Sequence, residues 1–143
     1  MLGTHETVSE AETEALGARL WKSLAAPACV LLDAPLGTGK TALARGVVRA
    51  AGHRGEVPSP TYALVQPYPT VPPLYHLDLY RVNSADELTE LGLDDMLAAG
   101  IVLAEWPDRA TEEGADWWPR DALRVTGAVL PGGARRWVIE RTR

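Results

Sequence analysis

Leu31-Leu32-Asp33-Ala34-Pro35-Leu36-Gly37-Thr38-Gly39-Lys40-Thr41 is the stretch that decides how this chain folds. An apolar run, Cys29-Val30-Leu31-Leu32, leads into a turn that ends in Gly39-Lys40-Thr41 and opens on a helix-like segment, Ala42 to Ala51. Strand, loop and helix in that order are the setting in which Gly-x-x-x-x-Gly-Lys-Ser/Thr denotes a phosphate-binding loop. Successive backbone N–H groups and the helix N-terminus make a concave anion site there. Lys40 can then reach β- and γ-phosphates, and the Thr41 hydroxyl is placed to hold Mg²⁺. Ala34 stands where the pattern has its first Gly, which is compatible only with a backbone that needs no positive φ. Pro35 fixes its own φ near that of a turn or helix start.

Working outward, Ser9-Glu10-Ala11-Glu12 has the form of a capping box. Leu16, Leu20 and Leu24, with Ala15 and Trp21, follow on one face, which predicts a helix from about Ser9 to Ala25. A strand is expected over Ala28 to Asp33, and Gly52 is a natural residue to follow the helix after the loop. Thr61 to Tyr68 and Leu74 to Tyr80 alternate as strands around Pro69-Thr70-Val71-Pro72-Pro73, an antiparallel hairpin. Ser84-Ala85-Asp86-Glu87 opens a short helix with Gly92 near its end, and Ile101 to Ala104 is a strand that stops at Glu105. Leu123-Arg124-Val125 and Trp137-Val138-Ile139 flank Pro131-Gly132-Gly133 as a second hairpin. The expected fold is α/β, like that of phosphate-loop NTPases. It is a sheet of parallel and antiparallel strands flanked by helices, in one domain over residues 1–143.

Composition agrees with that class. Hydrophobic residues make up 46% of the 143, enough for a folded core. No apolar run approaches the ~18 residues of a membrane span, and the acidic start Met1 to Glu6 lacks a signal pattern. Cys29 is the single cysteine, so no intramolecular disulfide forms, and its strand position reads as an inert buried thiol. These features point to the cytoplasm. A net charge of −5 argues against a stand-alone nucleic-acid binder. Arg135, Arg136, Arg141 and Arg143 crowd the C-terminus; they form a local basic patch or, the favoured reading, the solvated face of an edge strand.

Phosphoryl transfer also needs an acid to hold Mg²⁺ and a group to orient the nucleophile. Asp78 follows Leu74-Tyr75-His76-Leu77 and Glu105 follows Ile101-Val102-Leu103-Ala104, so both acids end apolar strands. In open α/β sheets ligands bind beyond those ends; the alternative for each acid is a capping or turn residue. Ser59-Pro60-Thr61-Tyr62 lies where switch loops offer a hydroxyl to Mg²⁺ or the γ-phosphate, or it is a plain Ser-Pro turn. Trp106 either stacks on a base or fills core, and Trp117 and Trp118 read as packing or surface residues. His5, His53 and His76 lack metal-ligand spacing, so no zinc site is expected.

The segments Leu36 to Thr41, Ser59 to Tyr62, His76-Leu77-Asp78-Leu79-Tyr80-Arg81, Glu90-Leu91-Gly92-Leu93 and Glu105-Trp106-Pro107 together resemble the TsaE family. These are bacterial ATPases required for the threonylcarbamoyladenosine modification of tRNA. The resemblance runs over roughly residues 9 to 108, and Ala34-Pro35 departs from it, standing where the family has Gly and an acid. It implies ATP held by Leu36, Gly37, Thr38, Gly39, Lys40, Thr41 and Ala42, with Thr61 and Trp106 close by and Glu10 and Thr13 on the adenine side. It implies Mg²⁺ on Thr41 and Glu105, with Asp78 at the metal or the attacking water and Lys40, Asp78 and Glu105 as the catalytic set. The implied partners are TsaD, which transfers the threonylcarbamoyl group, and its companion TsaB.

A small-molecule kinase competes with this reading, but such kinases close an Arg-rich lid and the arginines here are scattered. A GTPase is disfavoured because no Asn-Lys-x-Asp string occurs. A nucleotide-dependent binding module with little hydrolysis overlaps the ATPase reading, since no obvious arginine finger is present; Arg81 is the best internal candidate, the alternative being a salt-bridging surface residue. Without such a finger, rates fall by ~10³–10⁵-fold, so slow hydrolysis alone is expected.

Overall fold

The computed structural model describes residues 1–58, 64–82, 85–110 and 118–142. Its strands are β1 (Gly3–Thr7), β2 (Ala28–Asp33), β3 (Val65–Tyr68), β4 (Leu74–Asp78), β5 (Ile101–Glu105), β6 (Leu123–Val129) and β7 (Arg135–Arg141). Its helices are α1 (Glu10–Lys22), α2 (Lys40–Ala50), α3 (Ala85–Glu90) and α4 (Leu93–Ala99). The strands form one sheet in the order β1-β7-β6-β2-β5-β4-β3. β6, β2, β5 and β4 run parallel, while β3 at one end and β7 and β1 at the other are antiparallel additions. The expected mixed α/β architecture is the one observed. No helix among the described residues is long and apolar enough to cross a membrane.

Period-two alternation divides the core into two layers. Val30 and Leu32 of β2, Ile101 and Leu103 of β5, and Val125 and Ile139 pack under Leu16 and Leu20 of α1 and Leu43 and Val47 of α2. Cys29 and Leu31, Leu77, and Val102 and Ala104 face the other way, toward Leu88 of α3 and Leu93 of α4. Burial, and second the charge of Asp121, pushes the Cys29 thiol up to about 12, in line with an inert core residue.

Both hairpins form. Val65 pairs with Leu77 and Tyr68 with Leu74, and Val129 pairs with Arg135 across the Gly132-Gly133 turn. Helix α1 ends at Lys22, earlier than Ala25, because Ser23 closes it with bonds back to Arg19 and Leu20. At its start Ser9 Oγ accepts from the Glu12 N–H, but Glu12 reaches one residue further back than a capping box, to the Val8 N–H at 3.1 Å. Ser84, the cap foreseen for α3, lies outside the described residues. Besides a 3-10 turn over Pro107–Ala110, two elements go beyond the sequence reading. β1 is a strand made by pairing with β7, and Gly92 starts a further helix, α4, besides ending α3. β1 also corrects the reading of the C-terminal arginines: β7 is covered by β1, so it is not an edge strand, and Arg136 pairs with Glu6 at 3.4 Å. Arg143 lies outside the described residues.

Helices α1 and α2 cross backbone to backbone. A methyl group on Gly46 would collide with the Glu14 carbonyl, and one on Gly17 with the Leu43 carbonyl. Only glycine at both positions permits this approach, and it lays the first turn of α1 beside the start of α2.

Candidate functional site

The loop between β2 and α2 takes a shape that its sequence enforces. Gly37 (φ 82°) and Gly39 (φ 108°) sit in the left-handed region, where a side chain would be strained. Ala34 does not, so its methyl group is accommodated and is buried in the core. Thr38 closes the turn, its hydroxyl and N–H both donating to the Pro35 carbonyl at 2.7 and 3.3 Å. Helix α2 begins with no side-chain cap and no acid in its first turn, whereas α1 has both. An uncapped helix start leaves N–H groups and positive dipole free to meet an anion.

Lys40 and Thr41 are successive residues on that helix start, Lys40 against buried acids and Thr41 on a cavity wall. On Lys40's side, Asp78 and Glu105 are register partners at the carboxyl ends of β4 and β5, and Leu32 pairs with Glu105 from β2. Both acids are buried. Lys40 is only 6% exposed, and its Nζ has no hydrogen-bond partner among the described residues. Burial pulls the Lys40 pKa below its ordinary value, opposed by the charges of Glu105, Asp78 and Asp33. The ammonium rests 3.5 Å from the ring centroid of Trp106, a cation–π contact. Trp106 holds a left-handed φ of 57°, with its N–H donating to Leu32 O at 3.3 Å. The Tyr80 ring meets it edge-on at 5.1 Å, and the Arg109 guanidinium covers Tyr80 at 4.4 Å.

Asp78 also performs the turn role named as its alternative, since Oδ1 accepts from the Tyr80 N–H at 3.0 Å. Its burial beside Lys40 is a further property that a plain turn residue does not need. Trp106 lies against the loop lysine, and Arg81 is exposed just beyond Asp78. Ser59, Pro60, Thr61 and Tyr62 lie outside the described residues, as does Trp117; Trp118 is buried and donates to Pro107 O at 3.2 Å.

On Thr41's side a cavity of about 400 Å³ is lined by Glu10, Thr13, Thr38, Gly39, Thr41 and Ala42, with Gly133 and Arg135 on its far wall. Glu10 pairs with Arg45 at 3.0 Å, and the Thr13 hydroxyl meets Thr7 Oγ1 at 2.7 Å. Leu36 stands 77% exposed on the loop, outside this wall.

Four participants escaped the sequence reading. His76 Nε2 lies 2.6 Å from Glu105 Oε2, its diagonal neighbour two residues beyond the register partner Leu103, which alternation along β4 could have suggested. Arg135 donates from Nε to Thr38 O at 3.0 Å and from a terminal nitrogen to Gly37 O at 3.4 Å, with a third bond to Gly133 O. It therefore ties the loop to the β6–β7 hairpin and does not simply face solvent. Trp137 packs under Gly39 and donates to Thr7 at 3.3 Å. Asp33 ends β2 near Lys40 while pairing with Arg124 at 3.4 Å. For Arg135, Trp137 and Asp33 no local pattern signals the role, because the bonds to Thr38, Gly37, Thr7 and Arg124 are long-range.

A central parallel strand that empties into a glycine-shaped loop and an uncapped helix defines an α/β protein of the phosphate-loop kind. Among such proteins the chain belongs to the TsaE family: residues 7–130 match the family model described as threonylcarbamoyl adenosine biosynthesis protein TsaE. A Streptomyces coelicolor protein named tRNA threonylcarbamoyladenosine biosynthesis protein TsaE is 40% identical over 118 residues, covering 80% of this chain and 78% of that one. Its Mycobacterium bovis namesake is 40% identical over 111 residues, 71% of this chain and 66% of the other. The crystal structure of YdiB from Bacillus subtilis superposes with a TM-score of 0.77 over 98% of this chain and 85% of that one; at 23% identity it establishes likeness of fold.

Proposed function

We propose that this protein is a Mg²⁺-dependent ATPase, slow by itself, whose turnover supports the complex that makes N6-threonylcarbamoyladenosine in tRNA. One observation carries the nucleotide part: a buried Lys40 without a hydrogen-bond partner among the described residues, on an uncapped helix start, flanked by Asp78 and Glu105. A buried cation of this kind is costly unless an anion comes to meet it. The tRNA-modification part rests on family membership and on the names of the relatives.

The residues fit a Mg·ATP site. Among the described residues no three His, Cys, Asp or Glu side chains converge on a point, so the chain offers individual oxygens and no cage. Mg²⁺ at nucleotide sites takes one or two protein oxygens and completes its shell with phosphates and water. Thr41 and Glu105 would supply those oxygens; when bound, the ion offsets the charge that builds on the β- and γ-phosphate oxygens. Lys40 adds its charge to the same phosphates, and Asp78 orients the metal shell or the attacking water. The cavity between α1 and the hairpin, with Glu10, Thr13 and Ala42 on its walls, is sized for the nucleoside. In this reading TsaD and TsaB are the partners, the threonylcarbamoyl group stays with the transferase, and hydrolysis here resets that complex.

The test is ATP hydrolysis by the purified protein, alone and with TsaD and TsaB, with and without tRNA. Slow turnover alone that rises with the transferase subunits is the expected result. Phosphorylation of a small molecule would transfer the assignment to a kinase, and no hydrolysis in any mixture would leave a nucleotide-dependent binding module.

A further inference from the structure

Strand β4 alternates so that Leu74 joins the α1/α2 layer and Leu77 the α3/α4 layer, which sets His76 and Asp78 on the α1/α2 side. Strand β5 likewise sets Leu103 and Glu105 on that side. The parallel register pairs His76 with Leu103 and Asp78 with Glu105, so His76 lies one pleat beneath Glu105 on the diagonal. Long side chains span such a diagonal, and His76 Nε2 meets Glu105 Oε2 at 2.6 Å, both groups buried.

A carboxylate only accepts hydrogen bonds, so the proton of this bond sits on Nε2. Nδ1 is buried and has no hydrogen-bond partner among the described residues. An aliphatic side chain would fill the same space without that penalty. What the imidazole adds is its single bond to Glu105.

We propose that His76 is the positioning residue of Glu105. By occupying Oε2 it fixes the carboxylate's rotation and leaves Oε1 as the oxygen that would meet the metal. The inference rests on the reading of Glu105 as a Mg²⁺ ligand. Outer-shell partners of this kind orient the ligating atom, and their loss costs ~10–100-fold in metal affinity.

The test measures the dissociation constant of a non-hydrolysable ATP analogue by calorimetry, once with saturating Mg²⁺ and once with EDTA. The ratio of the two isolates the metal's share of binding. His76→Leu should lower that ratio by ~10-fold or more while leaving the EDTA value, and hence the folded nucleotide pocket, unchanged. His76→Gln, whose amide N–H falls near the Nε2 position, should restore much of it. His76→Asn, too short to reach Glu105, should not, and the Gln–Asn pair carries the comparison if the Leu variant does not fold. Glu105→Gln should collapse the ratio. A wild-type ratio in His76→Leu beside a collapsed one in Glu105→Gln overturns the role of His76 alone. A wild-type ratio in Glu105→Gln overturns the ligand reading of Glu105 and this inference with it.

Discussion

The two faces of the sheet are made by the same strands and differ in kind. Toward α3 and α4 the buried side chains are apolar: Cys29, Leu31, Leu77, Val102 and Ala104. Toward α1 and α2 the same strands bury His76, Asp78 and Glu105, and Thr7, Thr13, Thr38 and Lys40 are buried along with them. The polar groups of β4 and β5 gather at the carboxyl ends, where the loop arrives. The first layer is apolar throughout, and the second adds the cost of buried charge to an apolar cluster larger still. Because side chains alternate with period two, a one-residue slip of β4 would send Asp78 and His76 to the wrong layer. The apolar layer guards that register.

The sharpest test of the division is Lys40→Ala. It should lower hydrolysis by ~10²–10³-fold, the scale for losing one preorganised electrostatic contact, with Mg·ATP affinity falling and the fold intact by circular dichroism. Undiminished affinity with wild-type turnover would remove Lys40 from the site.

Next come the acids. Asp78→Asn and Glu105→Gln should each reduce turnover far more than stability, and the double variant should be little worse than the poorer single one, because groups that act as a unit are non-additive. Multiplying effects would mean two independent roles.

On the opposite face, Leu77→Ala should cost ~2–5 kcal/mol of unfolding free energy. Its nucleotide dissociation constant, measured well below the melting temperature, should match the wild type. A changed constant would show that the two layers are coupled, and the comparison would fail.

The smallest effect concerns pH. Lys40 has its pKa lowered by burial, so above that lowered value and below the ordinary lysine value of 10.5 the folded state binds fewer protons than the unfolded one. Its contribution to stability therefore rises with pH across that window. Denaturant titrations of the nucleotide-free protein should show stability rising less, or falling more, toward alkaline pH in Lys40→Met than in the wild type. Identical responses would mean that the lysine is not strained.

Much of this was legible in the chain. Gly37 and Gly39 announce positive φ, the run from Ile101 to Glu105 shows an acid ending a buried strand, and both hairpins carry their turn residues. β1 was not legible, because Gly-Thr-His-Glu-Thr has no apolar alternation and becomes a strand only through β7. Arg135 gave no signal because its partners on the loop lie 97 and 98 residues away, and His76 gave little because Glu105 lies 29 residues on. Local periodicity reports the faces of elements; it is silent on which distant side chains the sheet order makes neighbours.

The ammonium of Lys40 resting on the indole of Trp106 makes this site its own optical gauge. An anion that draws Lys40 away strips a positive charge from the ring face, and indole emission responds to the field across the ring. If a phosphate engages Lys40, it should therefore change the protein's intrinsic fluorescence, without a dye. Four further tryptophans also emit, one of them Trp137 beneath Gly39 of the loop, and Trp106→Phe would measure their share directly.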